Sequence, residues 1–415
     1  MGKNHCKNGL LMINRNLDSQ KKTKVLIFIR NYLPGFRSGG PVRSVANIVK
    51  ALSSEYEFYV VCLNRDHGVS EPYPDLVRGE WVDLGKTHVY YAADDELTFT
   101  FYRKIFRDIG PDFIYLNSLL DRNFSIKPFL AAGRGRKVPI ILAPRGELSV
   151  GALGLKAFRK RVFMALVKAI KLYKYVTWHA SSIGEQERIL STFSPEASQI
   201  FHVSNLPTLL NDHFLKREKR AGVLRIVLAA RVSPMKNTLA AIRMAGQLQG
   251  DVKLDLWGSL EDVEYWKKCQ DQIRLCPVNI KVQYRGEATH EKIQTILHEY
   301  DVLLMPTLGE NFGHSIIEAL SVGLPVIISD RTPWKNLKDA GVGVDLPIEN
   351  EPAFIKQLEE YLAMDESSFV IVRNSCRRYV AKWAAENIDL EAYRNMFARV
   401  LNFRAQNKIS INDIY

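Results

Sequence analysis

What most constrains the fold of this 415-residue chain is an alternation that runs through it twice. Short runs rich in Val, Ile, Leu and aromatic residues recur with helix-patterned stretches between them, the pattern of parallel strands joined by crossover helices. The first series is KVLIFIR (24–30), FYVVCL (58–63), THVYYA (87–92), DFIYLN (112–117), VPIILAP (138–144) and VTWHA (176–180). Helical patterns fall between them, among them PVRSVANIVKALSS (41–54) and FTFYRKIFRDIG (99–110). The second series restarts at LRIVLAA (224–230) and runs through VKLDLWG (252–258), IKVQYRG (280–286), DVLLMP (301–306) and PVIIS (325–329). The expected fold class is α/β, with two Rossmann-like, doubly wound lobes. Between the series, NLPTLLNDHFLKREKRAG (205–222) is polar, charged and interrupted by proline, which suits a linker. The stretch WAAENIDLEAYRNMFARVLNFRAQ (383–406) is helical by pattern, with Trp383, Tyr393, Phe397 and Val400 among the residues available for burial.

The composition is that of a globular protein, 47% apolar and 25% charged, and a chain this long can bury two or three cores. Its net charge of +12 is unevenly placed. Residues 1–220 hold 34 Lys and Arg against 20 Asp and Glu (+14), and residues 221–415 hold 23 against 25 (−2). Within the basic half, LKAFRKRVFMALVKAIKLYKYV (155–176) has seven cations, no acid and a wide apolar face. Two readings stand open for it: an amphipathic helix on an anionic membrane surface, or a core-packed helix with a solvated basic face. Five scattered cysteines with no zinc or redox spacing read as the reduced thiols of a cytosolic protein. Residues 1–23 lack the apolar core of a signal peptide and are expected to be a loosely ordered leader, and no run is long enough to span a bilayer.

In open α/β sheets, ligands sit beyond the C-terminal strand ends, where helix N-termini favour anions. After LRIVLAA, the loop ARVSPMKN brings Arg231 and Lys236 to the start of a helix from about Asn237, against the usual dipole preference. That conflict makes sense if the pair faces an anion; a planar fork and a point charge suit a diphosphate. After DVLLMP comes TLGENFGHSIIEAL, with Glu310 in the loop, Gly313 permitting close backbone approach, Ser315 as a candidate cap and Glu318 in the early helical turns. Carboxylates accept hydrogen bonds only, so two of them can grip sugar hydroxyls on either side of a diphosphate.

Glu310 and Glu318 with the intervening NFGHSII, the downstream EALSVGLPVIISD and the upstream ARVSPMKN resemble family 4 of the retaining glycosyltransferases. ISDRTPWKNL (328–337) and LAPRGELSVGAL (142–153) are similar to a subgroup that assembles bacterial polysaccharide and lipopolysaccharide. The resemblance implies the GT-B fold of two lobes around a cleft. Its expected boundaries are 24–210 for an acceptor-binding lobe, 211–385 for a nucleotide-sugar lobe and 386–415 for a helix crossing back. It implies that Arg231 and Lys236 bind the donor diphosphate, Glu310 the transferred sugar and Glu318 the ribose. Backbone around Asn311, Phe312, Gly313, His314 and Ser315 would approach phosphates and sugar, and Gly39 and Gly40 would bring the loop NYLPGFRSGGPVRS close to the donor. Many members carry a histidine after a first-lobe strand where this chain reads Pro144-Arg145-Gly146-Glu147, so Arg145 and Glu147 become the acceptor-side candidates. His179 is a weaker candidate, more simply read as a packed histidine.

No two aspartates stand two apart, so the Asp-x-Asp metal motif of the other common transferase fold is absent, and metal-independent transfer with no cofactor is expected. Expected partners are a nucleotide-diphosphate sugar, a saccharide or lipid-linked saccharide acceptor and an anionic membrane surface, with no nucleic acid. The family's retention suggests front-face attack in a cytoplasmic enzyme, peripheral on the membrane. The alternatives weighed are a nucleotide-sugar epimerase or phosphorylase of the same fold, and a non-catalytic basic nucleic-acid binder, for which no recognisable module is present.

Overall fold

The computed structural model describes residues 22–133, 138–149, 164–165, 167–168, 170, 172–209 and 218–412. The leader and most of the basic segment 155–176 lie outside the described residues. Of that segment's described residues, Val167, Tyr173 and Val176 are buried in the first-lobe core while Lys168 and Lys174 are exposed.

Among the described residues, the first lobe is built on an eight-stranded sheet formed by β1 (Thr23–Phe28), β2 (Tyr56–Leu63), β3 (Trp81–Asp83), β4 (His88–Ala92), β5 (Phe113–Leu116), β6 (Ile140–Leu142), β7 (Thr177–Ala180) and β8 (Ile200–His202). Its order is β3-β4-β2-β1-β5-β6-β7-β8, parallel except for the antiparallel edge pair β3–β4. The second lobe holds β9 (Val223–Ala229), β10 (Asp251–Trp257), β11 (Ile280–Gly286), β12 (Val302–Met305), β13 (Val326–Ser329) and β14 (Gly343–Leu346). Its order β11-β10-β9-β12-β13-β14 is the doubly wound Rossmann order, parallel throughout.

Both sheets are buried on both faces, because the strands are apolar at consecutive positions and side chains alternate sides. On β1, Val25 and Ile27 enter one core and Leu26 and Phe28 the other. On β12, Val302 and Leu304 face one core and Leu303 and Met305 the opposite one.

The helical tail differs from the single element read from the sequence. Helix Glu366–Asn387 ends and helix Leu390–Asn412 begins across a break, where the Asp389 carboxylate accepts from Ala392 N at 2.9 Å and caps the second helix. Trp383 packs with the second lobe, while Tyr393, Met396, Phe397 and Val400 are fully buried in the first. Their spacing puts them on one helical stripe, and burying each large side chain contributes ~1.5–3 kcal/mol. Tyr393 also donates its hydroxyl to Ser204 O at 3.0 Å.

Among the described residues, no helix is long and apolar enough to cross a membrane.

A candidate nucleotide-sugar cleft

In each sheet the strand order reverses at one point, between β1 and β5 and between β9 and β12, and loops there leave a crevice for ligands. The two crevices face each other across a cleft of about 520 Å³. Gly39, Gly40, Arg43 and Arg145 line it from the first lobe, and Arg231, Lys236 and Gly309 to Ser315 from the second.

The second-lobe wall is assembled from two loops that the sequence separates. Met235 O accepts from Leu308 N at 2.8 Å and from Thr307 Oγ1 at 3.0 Å, clamping the loop after β9 to the loop after β12. That clamp brings Lys236 Nζ onto Glu310 Oε1 as an ion pair, with both side chains largely buried. Arg231 pairs with Glu261, which His67 of the first lobe also approaches at 3.5 Å. Burial pushes the Glu261 carboxyl up, but His67 and Arg231 outweigh it and hold the group below its ordinary range.

The backbone of 311–315 is fixed from below. Gly313 has φ +81°, and a Cβ there would stand 2.8 Å from Ile316 Cδ1, so glycine is required at this turn. Trp334 Nε1 donates to Phe312 O at 2.6 Å, and the Phe312 ring packs against Trp334 and Trp383. Phe312 therefore presents an anchored loop to the cleft, with its own side chain turned into the core. Ser315 does not cap the helix His314–Ser321. Gly313 occupies the cap position with no side-chain bond, and the Ser315 hydroxyl lies 3.7 Å from Met305 Sδ.

Glu318, expected at the ribose, lies behind the cleft surface. Its side chain is 1% exposed and it does not line the cleft. Arg43 of the first lobe covers it, with one guanidinium nitrogen 2.5 and 2.7 Å from the two carboxylate oxygens. Burial raises the Glu318 carboxyl above its ordinary range, with Arg43 acting in the opposite sense. The neighbouring Ser44 Oγ is 3.1 Å from His314 Nε2, and a Cβ on Gly40 would lie 3.6 Å from the His314 ring.

On the acceptor side, Arg145 adopts φ +54°, and Asn117, Asn205 and Tyr115 occupy its guanidinium. Tyr115 OH in turn meets His179 Nδ1, and His179 Nε2 is 2.8 Å from Val203 O. A carbonyl only accepts, so Nε2 carries the proton and Nδ1 accepts from the tyrosine. Burial, reinforced by the Arg145 charge, pulls the His179 pKa down to about 3, so the ring stays neutral. His179 is packed and supports Arg145 from behind. Glu147 is also committed, accepting from Ser118 Oγ (2.7 Å), Leu119 N (2.6 Å) and Leu120 N (2.9 Å), with its carboxyl raised by burial. It braces the loop after β5 and, like Arg145, lines the cleft.

Sequence reading missed Arg43 and Glu185. Fully buried Glu185 accepts from Gly146 N (2.5 Å) and from both Ser181 N and Ser181 Oγ (2.8 Å). Across the cleft, Asn311 Nδ2 donates to Ser181 Oγ at 2.6 Å. An acid three residues after Ser182, inside an N-terminal helical turn, is the one signal that pointed to Glu185. Among the described residues, no group of three or more His, Cys, Asp or Glu could hold a metal ion.

Residues 212–383 match the family model "Glycosyl transferases group 1". The match covers 172 of the 415 residues and runs through the second-lobe strands β9 to β14. The chain is also 22% identical over 216 residues to 2-deoxystreptamine N-acetyl-D-glucosaminyltransferase of Niallia circulans, an alignment that spans 50% of this chain and only 52% of that relative. Two solved structures share the fold. HepE of Anabaena, solved in complex with UDP and glucose, has TM-score 0.62 at 15% identity, covering 94% of this chain and 100% of its own. WaaG, a glycosyltransferase involved in lipopolysaccharide biosynthesis, has TM-score 0.61 at 12% identity, covering 86% and 95%. The expected GT-B architecture is thus met, and the segment similar to glycosyl transferases carries Arg231, Lys236, Glu310 and Glu318.

Proposed function

We propose that this chain transfers a sugar from a nucleoside-diphosphate sugar to a saccharide acceptor in cell-surface polysaccharide assembly. The observation that carries the reading is the convergence of Arg231, Lys236 and Glu310 on one cleft wall, opposite the glycine turn at Gly39 and Gly40. In this reading Arg231 and Lys236 hold the diphosphate, Glu310 holds the transferred sugar, and the backbone of Asn311 to Ser315 meets the phosphates. Glu318 sits at the ribose end, behind Arg43. The complex of HepE with UDP and glucose supports the donor class, and the involvement of WaaG in lipopolysaccharide biosynthesis supports the acceptor class.

The cleft cations Arg231 and Lys236 stand against the carboxylates of Glu261 and Glu310, so donor binding is an exchange of partners. The Arg231–Glu261 pair has side chains 38% and 24% exposed. A pair this open contributes ~0–1 kcal/mol, little against a charge-assisted bond to phosphate. In the transfer step the bond from the anomeric carbon to the diphosphate oxygen breaks as the acceptor oxygen bonds to that carbon from the same face. The acceptor's proton passes to the departing phosphate, so anomeric configuration is retained, and Arg231 and Lys236 take up the charge without a metal. Arg145, held by Asn117, Asn205 and Tyr115, faces the acceptor. The basic segment 155–176 seats the first lobe on anionic lipid at the cytoplasmic face, which gives a lipid-linked acceptor access to the cleft.

The test is incubation with a panel of nucleotide sugars, with and without a saccharide acceptor, following anomeric protons by NMR. Acceptor-dependent release of nucleoside diphosphate with a retained anomer is expected. Conversion of the donor sugar without acceptor points to an epimerase and overturns the proposal.

A further inference from the structure

We propose that Arg43 is a phosphate-binding residue that the first lobe supplies to the donor site, with Glu318 as the group that holds it in place. The proposal rests on the reading of the cleft as a nucleoside-diphosphate-sugar site.

Position comes first. Arg43 lines the cleft together with Gly39, Gly40, Arg231 and Lys236, whereas Glu318 does not reach it. The Arg43 side chain is 23% exposed and Glu318 only 1%, so a ligand entering from the cleft meets the guanidinium before the carboxylate. Glu318 engages a single nitrogen of Arg43 through both its oxygens. Among the described residues the other two guanidinium nitrogens make no hydrogen bond, which leaves three of the five N–H donors for a ligand. A guanidinium fixed at one end and open at the other is suited to phosphate oxygens.

Displacing Arg43 so that Glu318 could reach the ribose would break a buried ion pair, which is costly. Keeping the pair and binding through it avoids that cost. The surroundings hold Arg43 there: helix Gly40–Leu52 meets helix His314–Ser321 through Ser44 Oγ and His314 Nε2 at 3.1 Å. Arg231 and Lys236 belong to the second lobe and Arg43 to the first. A diphosphate contacted by all three is gripped from both sides, so donor binding and lobe contact become one event.

The experiment is calorimetric titration of uridine, guanosine and adenosine diphosphates, and the matching monophosphates, into the full chain and into Arg43→Met, Arg43→Lys and Glu318→Gln. We expect Arg43→Met to weaken the tightest diphosphate by ~10-fold or more and its monophosphate by less, with Arg43→Lys recovering part of the loss. Unchanged or tighter diphosphate binding by Arg43→Met overturns the proposal, because it makes Arg43 a plug over a ribose-binding Glu318. If circular dichroism shows Arg43→Met to be unfolded, Arg43→Gln carries the test, and wild-type affinity in that variant overturns the proposal. Failure of the wild-type chain to bind any diphosphate overturns the donor-site reading itself, a result distinct from an effect confined to Arg43.

Discussion

Lys236 Nζ and Glu310 Oε1 are joined in an ion pair, although 74 residues separate them and each follows a different strand of the second sheet. In the proposed reading, the pairing keeps a cation and a carboxylate ready for the sugar–phosphate bond of the donor. Replacing Lys236 with Ala should lower kcat/KM by ~10²-fold or more, the effect of losing one preorganised contact to a leaving group. Steady-state kinetics with the matched donor checks this, and turnover within a few-fold of wild type contradicts the assignment.

Gly313 links the loop to the helix behind it. Gly313→Ala forces a Cβ at φ +81° to within 2.8 Å of Ile316 Cδ1 and 3.2 Å of Trp334 Nε1. Left-handed backbone costs an L-residue ~1–2 kcal/mol, and the crowding shifts the N-terminus of helix His314–Ser321. Stability in urea should fall by about that amount, while transfer falls by ~10-fold or more because the backbone donors move.

Glu185 has a structural part. Replacing it with Ala leaves the amides of Gly146 and Ser181 without their buried acceptor, at ~1–3 kcal/mol each. Urea denaturation should show a loss of about 3 kcal/mol, or a chain that no longer folds.

His179 makes stability depend on pH. Its folded pKa of about 3 lies below the ordinary 6.5, so its contribution is complete above pH 6.5. As pH falls from there toward about 3, the unfolded chain takes up a proton that the folded chain refuses. The contribution drops by ~1.4 kcal/mol per pH unit. Urea midpoints at several pH values should show a steeper acid loss in wild type than in His179→Asn.

The eleven strands read from the sequence are all present: ten are interior strands whose burial on both faces leaves apolar runs, and the edge strand Ile280–Gly286 is long enough to show an alternating pattern. The three that were missed, Trp81–Asp83, Ile200–His202 and Gly343–Leu346, are short edge strands only partly buried, and edge positions impose no such pattern. Arg231, Lys236 and Glu310 stood out because strand-end loops are few and their charges conflict with a plain helix start. Arg43 did not, because a basic residue early in an amphipathic helix looks solvated until the other lobe brings Glu318 against it. The same holds for Glu147, whose partners on the loop after β5 lie about 28 residues away and give no local signal. Contacts between distant segments have no periodicity to read.

The cleft's central claim is a diphosphate site built on Arg231 and Lys236, and a direct measurement is calorimetric titration of a nucleoside-diphosphate panel into wild type and the Arg231→Met/Lys236→Met double variant. The account predicts that wild type binds at least one diphosphate and that the double variant loses ~100-fold or more of that affinity. Equal affinity in the two proteins, or no binding by wild type to any member of the panel, would contradict it.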